Sequence, residues 1–436
     1  MSLSPLDSPM WQDLFGSAMA RDCLGDDALV AAMIRVEVAL AEACEAQGLT
    51  PDGSGARIAV ALSDASLSPA DLAEGAARDG VPIPALLAAL RARLDAQGAD
   101  ALHWGATSQD IVDSATVLCL CDFADRMGTE ADAVLDRLAD LAGAEAETVM
   151  LARTRTQGAV PTTFGAVVAD WGMGLADAKD RLAEAATRLC DLSLHGAAGT
   201  DGALGDRADA IREDMAGRLG LKANPAPWHR QRTRISDLAA ASAAVAMQAG
   251  RIGADLALLA ATGIGELRLS GGGSSAMPHK VNPVRAEAAQ SLARFAAHLQ
   301  GAVTEAALHV SQRDGAAWGL EWLSLRPLCG ASAAALDNIA RALDGLQPNR
   351  EAMAQNLADA GIGPFSERLT YLLAAHMPRS DARDAMAGAL ATDNPVAALR
   401  AAHPELDWTD AMDPLAAAGH APRLARTFAA SRGHMT

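Results

Sequence analysis

From Thr107 to about Leu346, apolar residues recur at helical spacing through five long stretches, and this periodicity constrains the chain more than any other feature. The stretches run from Ser108 to about Ala144, Pro161 to about Leu194, Arg234 to Gly263, Pro283 to His309, and Leu320 to Leu343. Each covers roughly 25 to 35 residues, well beyond the usual helix of about 10 to 14. Helices of this length bury an apolar stripe by lying alongside one another. The pattern therefore predicts an antiparallel five-helix bundle whose loops and helix ends are left for chemistry.

Half of the chain is hydrophobic but only 3% is aromatic, with Ala supplying much of the apolar half. Ala is the best helix former, and Gly and Pro cluster between the Ala-rich stretches, so the fold class is all-α with close helix packing. Small side chains bury little area each, so stability is expected from helix length and subunit contacts. Shorter amphipathic patterns precede the bundle, broken at Thr50-Pro51-Asp52-Gly53 and at Gly80-Val81-Pro82-Ile83-Pro84. After Pro348 the elements shorten again. Three helical domains follow: residues 1–106, a central bundle at 107–346, and residues 347–436.

The net charge of -18 argues against nucleic acid as a partner, because phosphate binding needs clustered cations. It leaves room for an anionic small molecule, since local cations such as Lys280, Arg232, Arg234 and Arg313 set the field in a cleft. Six cysteines are scattered without metal-like spacing and read as small buried hydrophobes in a reducing cytoplasm. The acidic N-terminus is unlike an export signal. The most membrane-like stretch, Leu238 to Thr262, is interrupted by Gln248, Arg251 and Asp255, so no membrane span is expected. The expectation is of a site with neither metal nor cofactor.

Chemistry concentrates in Gly271-Gly272-Gly273-Ser274-Ser275-Ala276-Met277-Pro278-His279-Lys280-Val281-Asn282-Pro283. The glycines permit close approach to a ligand, and Asn282-Pro283 reads as an N-cap and first helical residue. Ser274, Lys280 and Asn282 can converge on one anion near a helix N-terminus, where unpaired N–H groups add positive potential. A second stretch, His103-Trp104-Gly105-Ala106-Thr107-Ser108-Gln109-Asp110, places an imidazole, two hydroxyls and an amide before the first long helix. Such groups orient a carboxylate or donate a proton, and Thr107 to Asp110 has capping-box spacing. Further candidates lie in Arg153-Thr154-Arg155-Thr156-Gln157, in Pro227-Trp228-His229-Arg230-Gln231-Arg232-Thr233-Arg234, and around Arg313 and Trp318.

The Gly271–Pro283 string resembles the signature loop GSSxMPxKxNP of the fumarase/aspartase superfamily, and the other stretches resemble its remaining signature regions in order and spacing. The resemblance implies three helical domains and a homotetramer whose four bundles form a twenty-helix core, with active sites shared between subunits. It implies a polycarboxylate substrate, Ser274 as proton carrier, and Lys280 and His103 as catalytic partners. Substrate contacts are expected from Thr107, Ser108, Gln109, Arg155, Gln157, His229, Arg232, Ser275, Met277, Asn282 and Arg313.

The Trp228-His229 pair resembles the lactone-forming cycloisomerase branch, although Thr233 stands where that branch has Asp. Arg155 stands where many members of the superfamily have His. Arginine stays charged and cannot act as a general base, so its functional reading is a carboxylate clamp. The branch implies intramolecular addition of a carboxylate to an alkene. An elimination of the adenylosuccinate-lyase type and a catalytically inactive structural member are the alternatives.

Overall fold

The computed structural model describes residues 3–273, 276, 277 and 279–433. Helix α1 is Asp26–Ala46 and α2 is Ser108–Ala144. Strands β1, Val149–Thr154, and β2, Gln157–Thr163, form an antiparallel hairpin leading into α3, Phe164–Leu189. Then come α4, Ala208–Leu219, and α5, Thr233–Leu259. Helices α6, Val284–Ala306, and α7, Gly315–Asp344, complete the five long helices. Every end of α2, α3, α5, α6 and α7 falls within five residues of its sequence boundary. Periodicity fixes these elements because a long amphipathic stripe has no other way to be buried.

The chain divides into two compact units: residues 1–130, 178–247 and 291–337 make one, and residues 131–177, 248–290 and 338–436 the other. All five long helices contribute residues to both. This division runs across the helices and does not follow the boundaries at 106/107 and 346/347. In the second unit Gly253 lies so close to α6 that a Cβ there would stand 2.6 Å from the Ala286 carbonyl oxygen. An Ala-rich bundle with few aromatics packs by such backbone approach. The second unit also contains a C-terminal cluster around Leu369, Leu373, Met386, Leu399 and Trp408.

Three features depart from expectation. The segment before α3 is a β-hairpin, and β3, Leu267–Arg268, pairs antiparallel with β4, Gln347–Pro348. Cys121 and Cys190 form a disulfide across 69 residues of chain, so two of the six cysteines are not free thiols. Helix α6 begins at Val284, after the Pro283 carbonyl has accepted from the Glu287 N–H, one residue later than the Asn282-Pro283 pattern suggests.

The second unit also fixes the stem of the Gly-rich loop. Arg153 on β1 donates to both oxygens of Glu266 at 2.7 and 2.8 Å, and Asn356 donates to the same carboxylate at 2.8 Å. Glu266 is fully buried and directly precedes β3. Replacing Arg153 with Met strands that carboxylate, at an expected cost of about 3–5 kcal/mol in denaturant unfolding. Adding Glu266→Gln is expected to recover part of the loss, because the unpaired charge is then gone. A loss below about 1 kcal/mol in Arg153→Met would mean that the pair does not hold the stem.

Candidate active site

In the first unit the chemistry is built around the start of α2. Asp110 is fully buried, and its carboxylate accepts from the Thr107 N–H at 3.0 Å, completing half of the expected capping box. It also accepts from the His195 and Gly196 N–H groups, both at 2.9 Å, and meets His229 Nε2 at 2.7 Å. One carboxylate therefore joins the helix start, the 195–196 turn and the Trp228-His229 segment. Arg313 reaches over this start and donates to Thr107 Oγ1 at 2.5 Å. Thr107 and Ser108 remain half-buried at the helix N-terminus, where an anion is favoured.

Behind this surface lies a buried ionic frame. Arg232 donates to Asp113 at 2.8 and 3.1 Å and to Glu321 at 2.8 and 2.5 Å. Its guanidinium also stacks 5.0 Å from the Trp228 ring, and only 2% of the residue is exposed. Gln109 donates to Asp113 and to the His229 carbonyl. Both had been expected on the substrate. In this structure their donors are taken by buried acceptors, which gives both a place in the frame. Trp228 likewise packs in the core, its indole N–H donating to the Leu192 carbonyl at 3.0 Å.

His103 has φ of 65°, an uncommon left-handed conformation for a side-chain-bearing residue. Its Nδ1 lies 2.7 Å from Glu37 Oε1. Glu37 on α1, with Asp113, belongs to the acids that no motif singled out. His195 and His309 are two further imidazoles that sequence reasoning passed over. Burial pushes the pKa of both below the ordinary histidine value, with Arg212 adding to the effect at His195 and Arg232 at His309.

In the second unit the hairpin turn is Arg155-Thr156, with φ of 51° and 67°. Two left-handed residues are what a tight two-residue hairpin turn requires, a role usually filled by Asn-Gly. Here a β-branched Thr occupies one of them, so the turn is strained and presents Arg155 and Gln157 to solvent. In the Gly-rich loop, Gly272 has φ of 68° and its carbonyl accepts from the Asn282 N–H at 2.7 Å, closing the base. A Cβ on Gly272 would meet the Asn282 oxygen at 2.1 Å, so glycine is required there. Met277 and Lys280 are exposed and Asn282 is half-buried. Ser274 and Ser275 lie outside the described residues.

A family model described as a lyase matches residues 27–297. A 3-carboxy-cis,cis-muconate cycloisomerase of Bradyrhizobium diazoefficiens is 36% identical over 389 residues, covering 87% of this chain and 85% of that protein. The chain belongs to the fumarase/aspartase superfamily of lyases. A nitrosuccinate lyase of Streptomyces davaonensis is 33% identical over 401 residues, covering 87% of this chain and 83% of that one. The solved 3-carboxy-cis,cis-muconate lactonizing enzyme from Pseudomonas putida superposes with a TM-score of 0.89 at 28% identity, covering 98% of this chain and 99% of that chain. The all-α, fumarase/aspartase-like fold is thus the fold of this enzyme. Among its described residues no helix is long and apolar enough to cross a membrane.

The buried histidines give the superfamily scaffold in this chain an acid-sensitive element. With a folded pKa below the unfolded value of 6.5, His195 takes up its proton more readily once unfolded. The stabilisation is present above about pH 6.5 and is lost as pH falls toward the folded pKa. Denaturant unfolding at about pH 7.5 and about pH 5.5 is expected to show a smaller acid loss in His195→Gln than in the unmodified enzyme. An unchanged difference would assign the acid sensitivity to other groups.

Proposed function

We propose that this enzyme converts 3-carboxy-cis,cis-muconate to 4-carboxymuconolactone, an intramolecular lyase reaction of protocatechuate degradation. The near full-length likeness to the Bradyrhizobium cycloisomerase carries this reading. In the lactone-forming direction an oxygen of one substrate carboxylate attacks an alkene carbon. The π electrons move to the neighbouring carbon and into its own carboxylate, giving an aci-carboxylate that is then protonated at carbon. A nucleophile already in the substrate gains from proximity and needs no base to activate it.

The aci-carboxylate carries charge absent from the ground state, and Lys280 with Asn282 is proposed to stabilise it, which lowers the barrier selectively. Ser274, matched by its place in the signature motif, is the proposed proton carrier at carbon, with His103 as the second acid–base group. Thr107, Ser108 and Arg313 at the start of α2 are proposed to hold a substrate carboxylate, and Arg155 another. We propose a homotetramer whose sites combine the His103 and Trp228 regions, which Asp110 and His229 join within one chain, with the signature loop of another subunit. Four buried free thiols suit a reducing compartment, and the cytoplasm is the proposed location; the Cys121–Cys190 bond is the feature against it.

A second reading, β-elimination from a substituted succinate, has the Streptomyces nitrosuccinate lyase in its favour. Ultraviolet absorbance of 3-carboxy-cis,cis-muconate, followed with lactone formation, separates the two. Ser274→Ala is expected to lower kcat at least about a hundredfold with the fold intact. Near-normal turnover would move the proton to another group. Elimination from nitrosuccinate with no lactone formed would overturn the cycloisomerase reading.

Arg155→Gln is expected to raise KM or change nothing, without adding or removing an ionisation in the pH profile of kcat, because a guanidinium carries no proton in this reaction. A lost ionisation would contradict the clamp role.

A further inference from the structure

We propose that Glu37 is a positioning residue for His103, holding the imidazole proton on Nδ1 so that Nε2 is the nitrogen offered to substrate. The proposal rests on the reading of His103 as an acid–base group. Glu37 lies in the middle of α1, far from every motif, and is fully buried. Its Oε1 stands 2.7 Å from His103 Nδ1, while Oε2 is buried without a partner. Burying a carboxylate is costly, and one with half its acceptor capacity idle is not there to stabilise the fold. A leucine or glutamine at that point on α1 would cost less.

A second carboxylate–imidazole pair in this unit sharpens the contrast. Asp110 meets His229, but it also takes three backbone N–H groups and would be needed to join those segments without any imidazole. Glu37 makes no such second bond. Nor is every semi-buried histidine here given an acid: both ring nitrogens of His309 are buried and unpartnered. The nearby Cys44 thiol does not neutralise the site, since burial and the Glu37 charge push it up to about 12.

Geometry gives the pair its direction. A neutral imidazole has one N–H, and a carboxylate at Nδ1 fixes that proton there. The His103 side chain keeps 15% exposure, and among the described residues its ring makes a hydrogen bond through Nδ1 and none through Nε2. The left-handed backbone at His103 presents the ring in this orientation. When Nε2 gains a proton during turnover, the imidazolium forms beside a buried negative charge and is stabilised by it.

The test is a double-mutant cycle on the intact enzyme with 3-carboxy-cis,cis-muconate. Glu37→Gln is expected to lower kcat at least about tenfold with KM changed less than about twofold. In a His103→Gln background the same substitution is expected to change kcat no further, because Glu37 acts through the ring. Equal fold-losses in both backgrounds would make Glu37 structural and overturn the proposal, as would unchanged kcat in Glu37→Gln beside an inactive His103→Gln. Full turnover by His103→Gln would instead sink the acid–base reading on which the proposal rests. NMR of isotope-labelled histidine in the unmodified enzyme needs no variant to fold: a proton on Nδ1 is expected, and one on Nε2 overturns the assignment.

Discussion

The buried guanidinium of Arg232 holds together the elements on which the first unit's chemistry depends. It binds Asp113 from α2 and Glu321 from α7 while standing at the threshold of α5. Three long helices are thereby registered at the ends where their loops carry reactive groups. The contact is costly to assemble, since one cation and two anions leave water together. Its return is geometric: an Ala-rich helix pair can slide by a turn with little change in packing, but a bidentate fork with two carboxylates fits one register. The two flanking carboxylates keep Arg232 charged, its pKa displaced upward despite burial.

This frame also explains how far the sequence could be read. The long helices were legible because a stripe of apolar residues over 24 or more positions has one economical solution. The hairpin before α3 was not, since its turn is Arg155-Thr156 in place of the Asn-Gly type that signals a tight reversal. Motif spacing identified which residues gather near the start of α2 but not which way each points. Gln109 and Arg232 therefore read as substrate ligands, and the structure engages their donors in the buried frame behind Thr107 and Ser108. Glu37 and Asp113 were invisible for a related reason: an acid on an amphipathic helix reads as solvated until its burial is known. The cysteine pairing was missed because 69 residues of separation carry no local signal.

The same distinction between frame and surface bears on the change from His to Arg at position 155. In an elimination with a basic leaving group, a proton must reach the departing atom, and an arginine at that point is a chemical obstacle. In lactone formation the nucleophile is a carboxylate already in the substrate, so the proton needed is the one delivered to carbon. A fixed cation is then an asset, since each of the substrate's carboxylates must be held while charge shifts among them. The turn at Arg155 and Thr156 places two left-handed residues on an exposed loop, a conformation with a cost that solvent-facing packing does not repay. Strain of this kind is tolerated where a side chain must be presented rigidly. Arg155 and His103, one in each compact unit, share it: both stand on left-handed backbone, and neither carries the glycine that would make the conformation free.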